Sequence, residues 1–121
     1  MKLEDIRRAI ESLYLGICNI KVRQKTFNVE TKQYDFSERT IYENEPCRLS
    51  YSNINYNQEK DGAARKQQII KLFIAPELEI PSGCRIEVTQ NNKTVAYKSS
   101  SDSAVYRNHQ EIELEIFDKW A

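Results

Sequence analysis

The stretch KLFIAPELEIPSGCRIEV, Lys71 to Val88, decides how the chain is read. Two alternating apolar runs flank Pro76, Pro81 and Gly83, in a sequence that holds only 3 Gly and 3 Pro. Alternation of apolar and polar residues is the period of a strand with one buried face. Pro-Ser-Gly is turn chemistry, because proline presets φ and lacks a donor while glycine tolerates positive φ. The stretch therefore reads as a hairpin: Ile70, Leu72 and Ile74 face a core, the prolines stop lateral pairing along the connection, and Gly83 takes the positive φ.

The same period extends outward from it. Cys18, Ile20 and Val22 alternate with Asn19, Lys21 and Arg23. Residues 26–42, TFNVETKQYDFSERTIY, alternate around a polar turn at 30–33 and read as a second hairpin, after which Cys47, Leu49 and Tyr51 continue the pattern. Strands are also expected at 84–89, 94–98 and 111–117; in the last, Ile112, Leu114 and Ile116 form one oily face and Glu111, Glu113 and Glu115 the other. Only the beginning differs: Leu3, Ile6, Ala9, Ile10 and Leu13 recur at helical spacing, so a helix over 2–15 is expected to end near Gly16. Residues 53–68, NINYNQEKDGAARKQQ, are too polar to bury a continuous face and read as a long loop. The expected fold is mainly β, a small β-barrel or sandwich of about seven strands with one N-terminal α-helix and a long inter-strand loop. All of residues 1–121 form one domain on this reading, with the barrel spanning 17–121.

Charge and composition narrow the function. With 18 Lys+Arg against 18 Asp+Glu, no global field draws the protein to DNA or to an anionic membrane. Its apolar runs fall far short of the roughly 20 residues that span a bilayer, and MKLEDIRRAIE lacks the apolar centre of a signal peptide, so a soluble intracellular protein is expected. Cys18, Cys47 and Cys84 are odd in number, unpaired in spacing and set in apolar segments, as expected of reduced, buried thiols.

No enzyme is expected. The single histidine, His109, precedes the acidic strand without a nucleophile or metal motif around it and reads as a hydrogen-bonded structural residue. Three scattered glycines build no phosphate loop, three dispersed cysteines and one histidine advertise no metal site, and three glutamates at alternate strand positions make a solvated acidic face. Catalytic, cofactor and metal residues are accordingly all expected to be none. Small barrels also bind single-stranded nucleic acid on exposed aromatics, and the chain has 7 Tyr, interleaved with acids as often as with bases. Lys60, Asp61, Gly62, Arg65 and Lys66, in the long loop, are the candidate contact residues; the alternatives there are a solvated loop, or a contact with DNA or a neighbouring subunit.

From Cys47 onward the chain resembles the head-completion proteins of phages and prophages, also called head-to-tail connector or stopper proteins. The residues that carry the resemblance are CRLSY (47–51), DGAA (61–64), IKLFIAPELEIPSGCRIEVTQN (70–91), AYKSS (96–100), AVY (104–106), HQEIELEIF (109–117) and Trp120. The first third fits only in its helix-then-strand layout. The resemblance implies a small β-barrel subunit of a six-fold or twelve-fold ring in the virion neck, assembled in the bacterial cytoplasm. Implied partners are further copies of itself, the portal/adaptor, a tail terminator or tail-tube protein, and packaged double-stranded DNA, for which the loop around Asn57 to Gln67 is the candidate projecting element; no membrane partner is implied. The rival readings are a tail-completion or terminator ring protein, a single-stranded nucleic-acid-binding barrel, and an enzyme whose site convergence has hidden.

Overall fold

Seven strands and one helix make up the computed structural model. It describes residues 3–58, 63–100, 103–118 and 120, with the backbone alone for 3, 53–58 and 63–67. In chain order the elements are α1 (Leu3–Glu11), β1 (Gly16–Asn28), β2 (Gln33–Gln58), β3 (Ala63–Ile74), β4 (Arg85–Gln90), β5 (Lys93–Ser99), β6 (Ala104–Val105) and β7 (Gln110–Ile116). The strands pair in the order β3-β2-β1-β4-β5-β7, and β7 pairs again with β3, so six of them close a ring. All pairings are antiparallel. Closure removes the exposed edges that an open sheet would offer, and the short β6 adds only two pairs to β7.

Period-two alternation fills the barrel. Cys18, Ile20, Cys47, Leu49, Leu72, Ile74, Ile86, Val88, Tyr97, Ile112 and Leu114 point inward and are buried, with Cys84 beside them. Ile70 is partly buried against this core. Ile116 departs from its expected inward role and is 60% exposed; it pairs with Tyr97 at the end of the β5–β7 ladder.

The decisive stretch corrects its own reading. β3 and β4 are not hairpin partners: β3 lies between β2 and β7, and β4 between β1 and β5. The ten residues 75–84 cross the barrel mouth instead. A hairpin closes in two to five residues, whereas this connection carries Leu78 and Ile80, both packed against the core. Side chains from the wall hold it down. Gln110 Nε2 donates to Ala75 O and Leu78 O, both at 2.7 Å, Ser99 Oγ donates to Pro81 O at 3.1 Å, and Tyr42 Oη accepts from Glu79 N at 3.0 Å. Gly83 takes the expected positive φ, 81°.

Two further expectations change. The helix ends at Glu11 rather than near 15, and Gly16 opens β1 rather than capping the helix. Crowding makes glycine necessary there, because a Cβ would lie 3.1 Å from Gln90 Oε1 and Thr89 O and 3.3 Å from Cys47 O. The polar stretch 53–68 is not a loop throughout. Asn53 to Gln58 pair residue by residue with Gln68 to Ala63, because backbone ladders form without an oily face when the strands are already aligned by the barrel wall.

Candidate assembly surfaces

β2 organises the exterior. Its first part pairs with β1, its last part with β3, and the two ladders overlap only at Cys47, which faces Gly16 on one side and Ile74 on the other. Register shifts at Cys18/Ile20 and Ile20/Lys21 mark bulges, where Asn44 adopts φ 51° and its N–H is accepted by Asn19 Oδ1 at 2.9 Å. Bulges bend and twist a strand, which lets β2 serve both ladders. Where β1 leaves, Gln90 Oε1 accepts the Leu49 N–H at 3.0 Å and replaces the lost strand partner.

Because β2 enters the wall at one end and leaves it at the other, it projects a two-stranded ribbon from each end. The first, Val22–Asn28 with Gln33–Arg39, continues beyond Lys21, the last β1 residue paired with β4. The second, Asn53–Gln58 with Ala63–Gln68, continues beyond Ile70, where the β3–β7 ladder stops. At about 3.3 Å per residue, each ribbon extends roughly 20 Å.

The candidate residues belong to the second ribbon. Arg65 and Lys66 sit on β3 opposite Tyr56 and Asn55, while Lys60, Asp61 and Gly62 lie outside the described residues. The first ribbon carries side chains that the sequence reading did not select. Phe27 pairs with Tyr34 and Lys25 with Phe36, which puts all four on one face. Phe27 and Tyr34 meet edge to face at 5.2 Å; Lys25 Nζ lies 4.0 Å above the Tyr34 ring and the Arg23 guanidinium 3.7 Å above that of Phe36. A cation every second residue, opposite an aromatic every second residue, was the available signal. At the ribbon's base Trp120 Nε1 donates to Glu38 Oε1 at 3.2 Å, and Arg85 reaches the same carboxylate at 3.3 Å while covering the Phe117 ring at 4.9 Å.

On the opposite side of the barrel, β7 turns Glu111, Glu113 and Glu115 outward. Glu111 lies 4.0 Å from Lys71 and 3.6 Å from His109 Nε2, and Glu115 lies 3.8 Å from Lys98. The His109 ring stacks on Tyr106 at 4.9 Å and lies 5.6 Å from Phe73, and its buried Nδ1 has no hydrogen-bond partner among the described residues. Helix α1 is fastened to the crossing segment by Arg7, which bonds both Glu77 oxygens, one of them at 2.8 Å, and also Glu11 at 2.5 Å. Those bonds hold the Glu77 carboxyl below its ordinary range and keep the Arg7 guanidinium more firmly charged than usual.

Among the described residues the interior is filled by apolar side chains and cysteines. All three cysteines are free and buried. A hydrogen bond to Cys47, with burial, pushes the Cys18 thiol far above its ordinary value, and burial pushes up that of Cys84; such thiols are poor nucleophiles. Burial likewise pushes Tyr14 up to about 12. Among the described residues no group of three His, Cys, Asp or Glu side chains is placed to hold a metal ion, and no helix is long and apolar enough to cross a membrane. A cleft of about 310 Å³ lies between Val22, Arg23, Pro81, Gly83, Cys84 and Trp120.

Fold and surfaces together define a small, closed, mainly β barrel with an N-terminal helix and a ribbon at each end. No family model and no curated protein matches the chain. Among solved structures it is similar to the xkdH protein of the phage-like element PBSX from Bacillus subtilis, at 12% identity and a TM-score of 0.47, over 84% of this chain and 94% of that one.

Proposed function

We propose that this chain is a structural neck protein of a tailed phage, prophage or phage-tail-like particle, one subunit of a ring that joins the portal/adaptor to the tail and helps close the DNA channel. The observation that carries the reading is β2, a 26-residue strand that is barrel wall at its centre and projecting ribbon at both ends. A rigid closed body with arms leaving opposite ends suits a subunit that touches one neighbour above and another below. The sequence resemblance from Cys47 to Trp120 supports the same assignment. On this reading Lys60, Asp61, Gly62, Arg65 and Lys66 are the candidates for meeting the channel's DNA or a neighbouring subunit. The protein needs no cofactor or metal and catalyses nothing.

Native mass spectrometry of the purified chain, followed by electron microscopy of particles that contain it, tests the reading. The expected result is a six-fold or twelve-fold ring at the head-tail junction, with particles lacking the subunit failing to join or leaking DNA. Normal particles after deletion would sink the proposal, and a ring at the tail's proximal end alone would convert it to a terminator. Cations lying on Tyr34 and Phe36 favour one reading from another class, a single-stranded nucleic-acid-binding barrel; tight, salt-sensitive binding of an oligonucleotide by an isolated monomer would select it.

A further inference from the structure

The first ribbon is an unfinished structure. Phe27, Tyr34 and Phe36 are 50%, 55% and 53% exposed, and among the described residues no third strand pairs with them. A two-stranded ribbon is marginal in water by itself, and clustered exposed aromatics mark an interaction site. We propose that this face docks, through Lys25, Phe27, Tyr34 and Phe36, on the acidic outer face of β7 in a second copy of the chain, against Glu113 and Glu115. The inference rests on the ring reading above and names the two surfaces that would close the ring.

Charge selects the occupant. β7 is QEIELEI, three acids and no base, with Ile116 and Tyr106 exposed near its two ends. Arg23 and Lys25 recur on the ribbon with the same two-residue period, about 7 Å, between aromatic flanks. Lys71 and Lys98 face Glu113 and Glu115 on the neighbouring strands, so the row is acidic along β7 and not across it; carboxylates in such a line, with apolar groups at its ends, match this cation–aromatic face. A nucleic-acid backbone matches it less well. Residues 22–39 hold four bases (Arg23, Lys25, Lys32, Arg39) against three acids (Glu30, Asp35, Glu38), a net of +1, which is thin for neutralising several phosphates. Since ribbon and β7 are different surfaces, the contact is head to tail, and repetition closes a ring when the rotation permits.

The buried native thiols allow a direct test, because introduced surface cysteines are the accessible ones. The full chain carrying both Lys25→Cys and Glu113→Cys, treated with a mild oxidant, is expected to give a covalent ladder of dimers, trimers and higher forms. The two single variants mixed should give dimers only, and each alone nothing. In parallel, Lys25→Glu or Glu113→Lys alone should weaken self-association roughly tenfold, while mixing them sets each ribbon against a β7 of opposite sign at every junction and should restore it; circular dichroism confirms that each variant folds. Cross-linking of either single variant alone would overturn the head-to-tail contact. No ladder from a chain that native mass spectrometry finds oligomeric would overturn the proposed surfaces and leave the ring reading standing. A strictly monomeric chain with no ladder would overturn the proposed surfaces, and the ring reading falls with them if particles also show no ring; if Lys25→Glu then abolished salt-sensitive oligonucleotide binding, the ribbon would belong to nucleic acid.

Discussion

Replacing Gln110 with methionine should destabilise the barrel by about 1–3 kcal/mol. Gln110 is fully buried, and its Nε2 holds the crossing segment through Ala75 O and Leu78 O, each at 2.7 Å. Stranding a buried carbonyl costs about 1–3 kcal/mol; both of these bonds are part-buried, so two such losses are an upper bound on the gross penalty. Ala75 O keeps a long bond from the Leu78 N–H at 3.4 Å, which softens its share. Gln110 Oε1 is itself buried without a partner among the described residues, so methionine also relieves about 1–3 kcal/mol of desolvation, and the net falls to about the value of one stranded group. For a chain of this size, 1 kcal/mol moves Tm by roughly 3–5 °C.

Gln110→Glu sharpens the same reasoning. A carboxylate there donates nothing and faces two carbonyl dipoles, so burial and those acceptors raise its pKa above the unfolded value of about 4.3. A raised acid favours the folded state most below the unfolded pKa, and that advantage is lost as pH rises to the folded pKa. The stability gap to the native protein, from urea unfolding at each pH, should therefore be widest near neutrality and narrow towards pH 4. A methionine variant within about 0.5 kcal/mol of the native protein, or a glutamate variant whose gap ignores pH, would refute the idea that this amide pins the crossing segment.

Other expectations follow from single contacts. Gly16→Ala should cost about 1–3 kcal/mol in thermal unfolding through crowding of Gln90, Thr89 and Cys47; Gly83→Ala, with φ 81° but nothing within 4 Å of the new Cβ, should cost about 1 kcal/mol through strain alone. Because Glu77 has a depressed folded pKa, its contribution is present above the unfolded value and lost as pH falls through the folded one. Hydrogen exchange should accordingly show α1 loosening under acid in the native protein, and already loosened at neutral pH in Glu77→Gln; equal protection in both would refute the fastening. The three thiols should resist a water-soluble disulfide reagent in the folded protein and all react in denaturant, and fast reaction of any one would contradict its burial.

Much of the fold was legible because alternation survives in any context. Ile20, Leu72 and Ile112 were recognisable as inward residues since a period of two leaves one face to bury. The turn between the first two strands was legible as well: Asn28 Oδ1 accepts from Glu30 N and Thr31 N at 2.9 and 3.3 Å, and Lys32 adopts φ 56°. The partners of each strand were not. Residues 75–84 carry hairpin chemistry, yet their number and the apolar Leu78 and Ile80 suit a plug across a barrel mouth, and only knowing where β7 lies explains Gln110. The candidate surfaces divide in the same way: the polarity of 53–68 excluded a buried face, but nothing local says that Asn53 to Gln58 pair with Gln68 to Ala63.

The amino-acid sequence by itself determined that the chain would be strands after one helix, which side of each strand is oily, that the cysteines pack, and that no charge excess or motif announces catalysis. Those properties are local, set by residue type and by spacing along one strand. Tertiary structure alone decided that the sheet closes, that β2 serves two ladders and projects at both ends, and that the cations of one ribbon lie on aromatic rings across from them. Strand pairing depends on which backbone edges meet, and those edges carry the same donors and acceptors whatever the sequence; the choice belongs to the packing of the whole core.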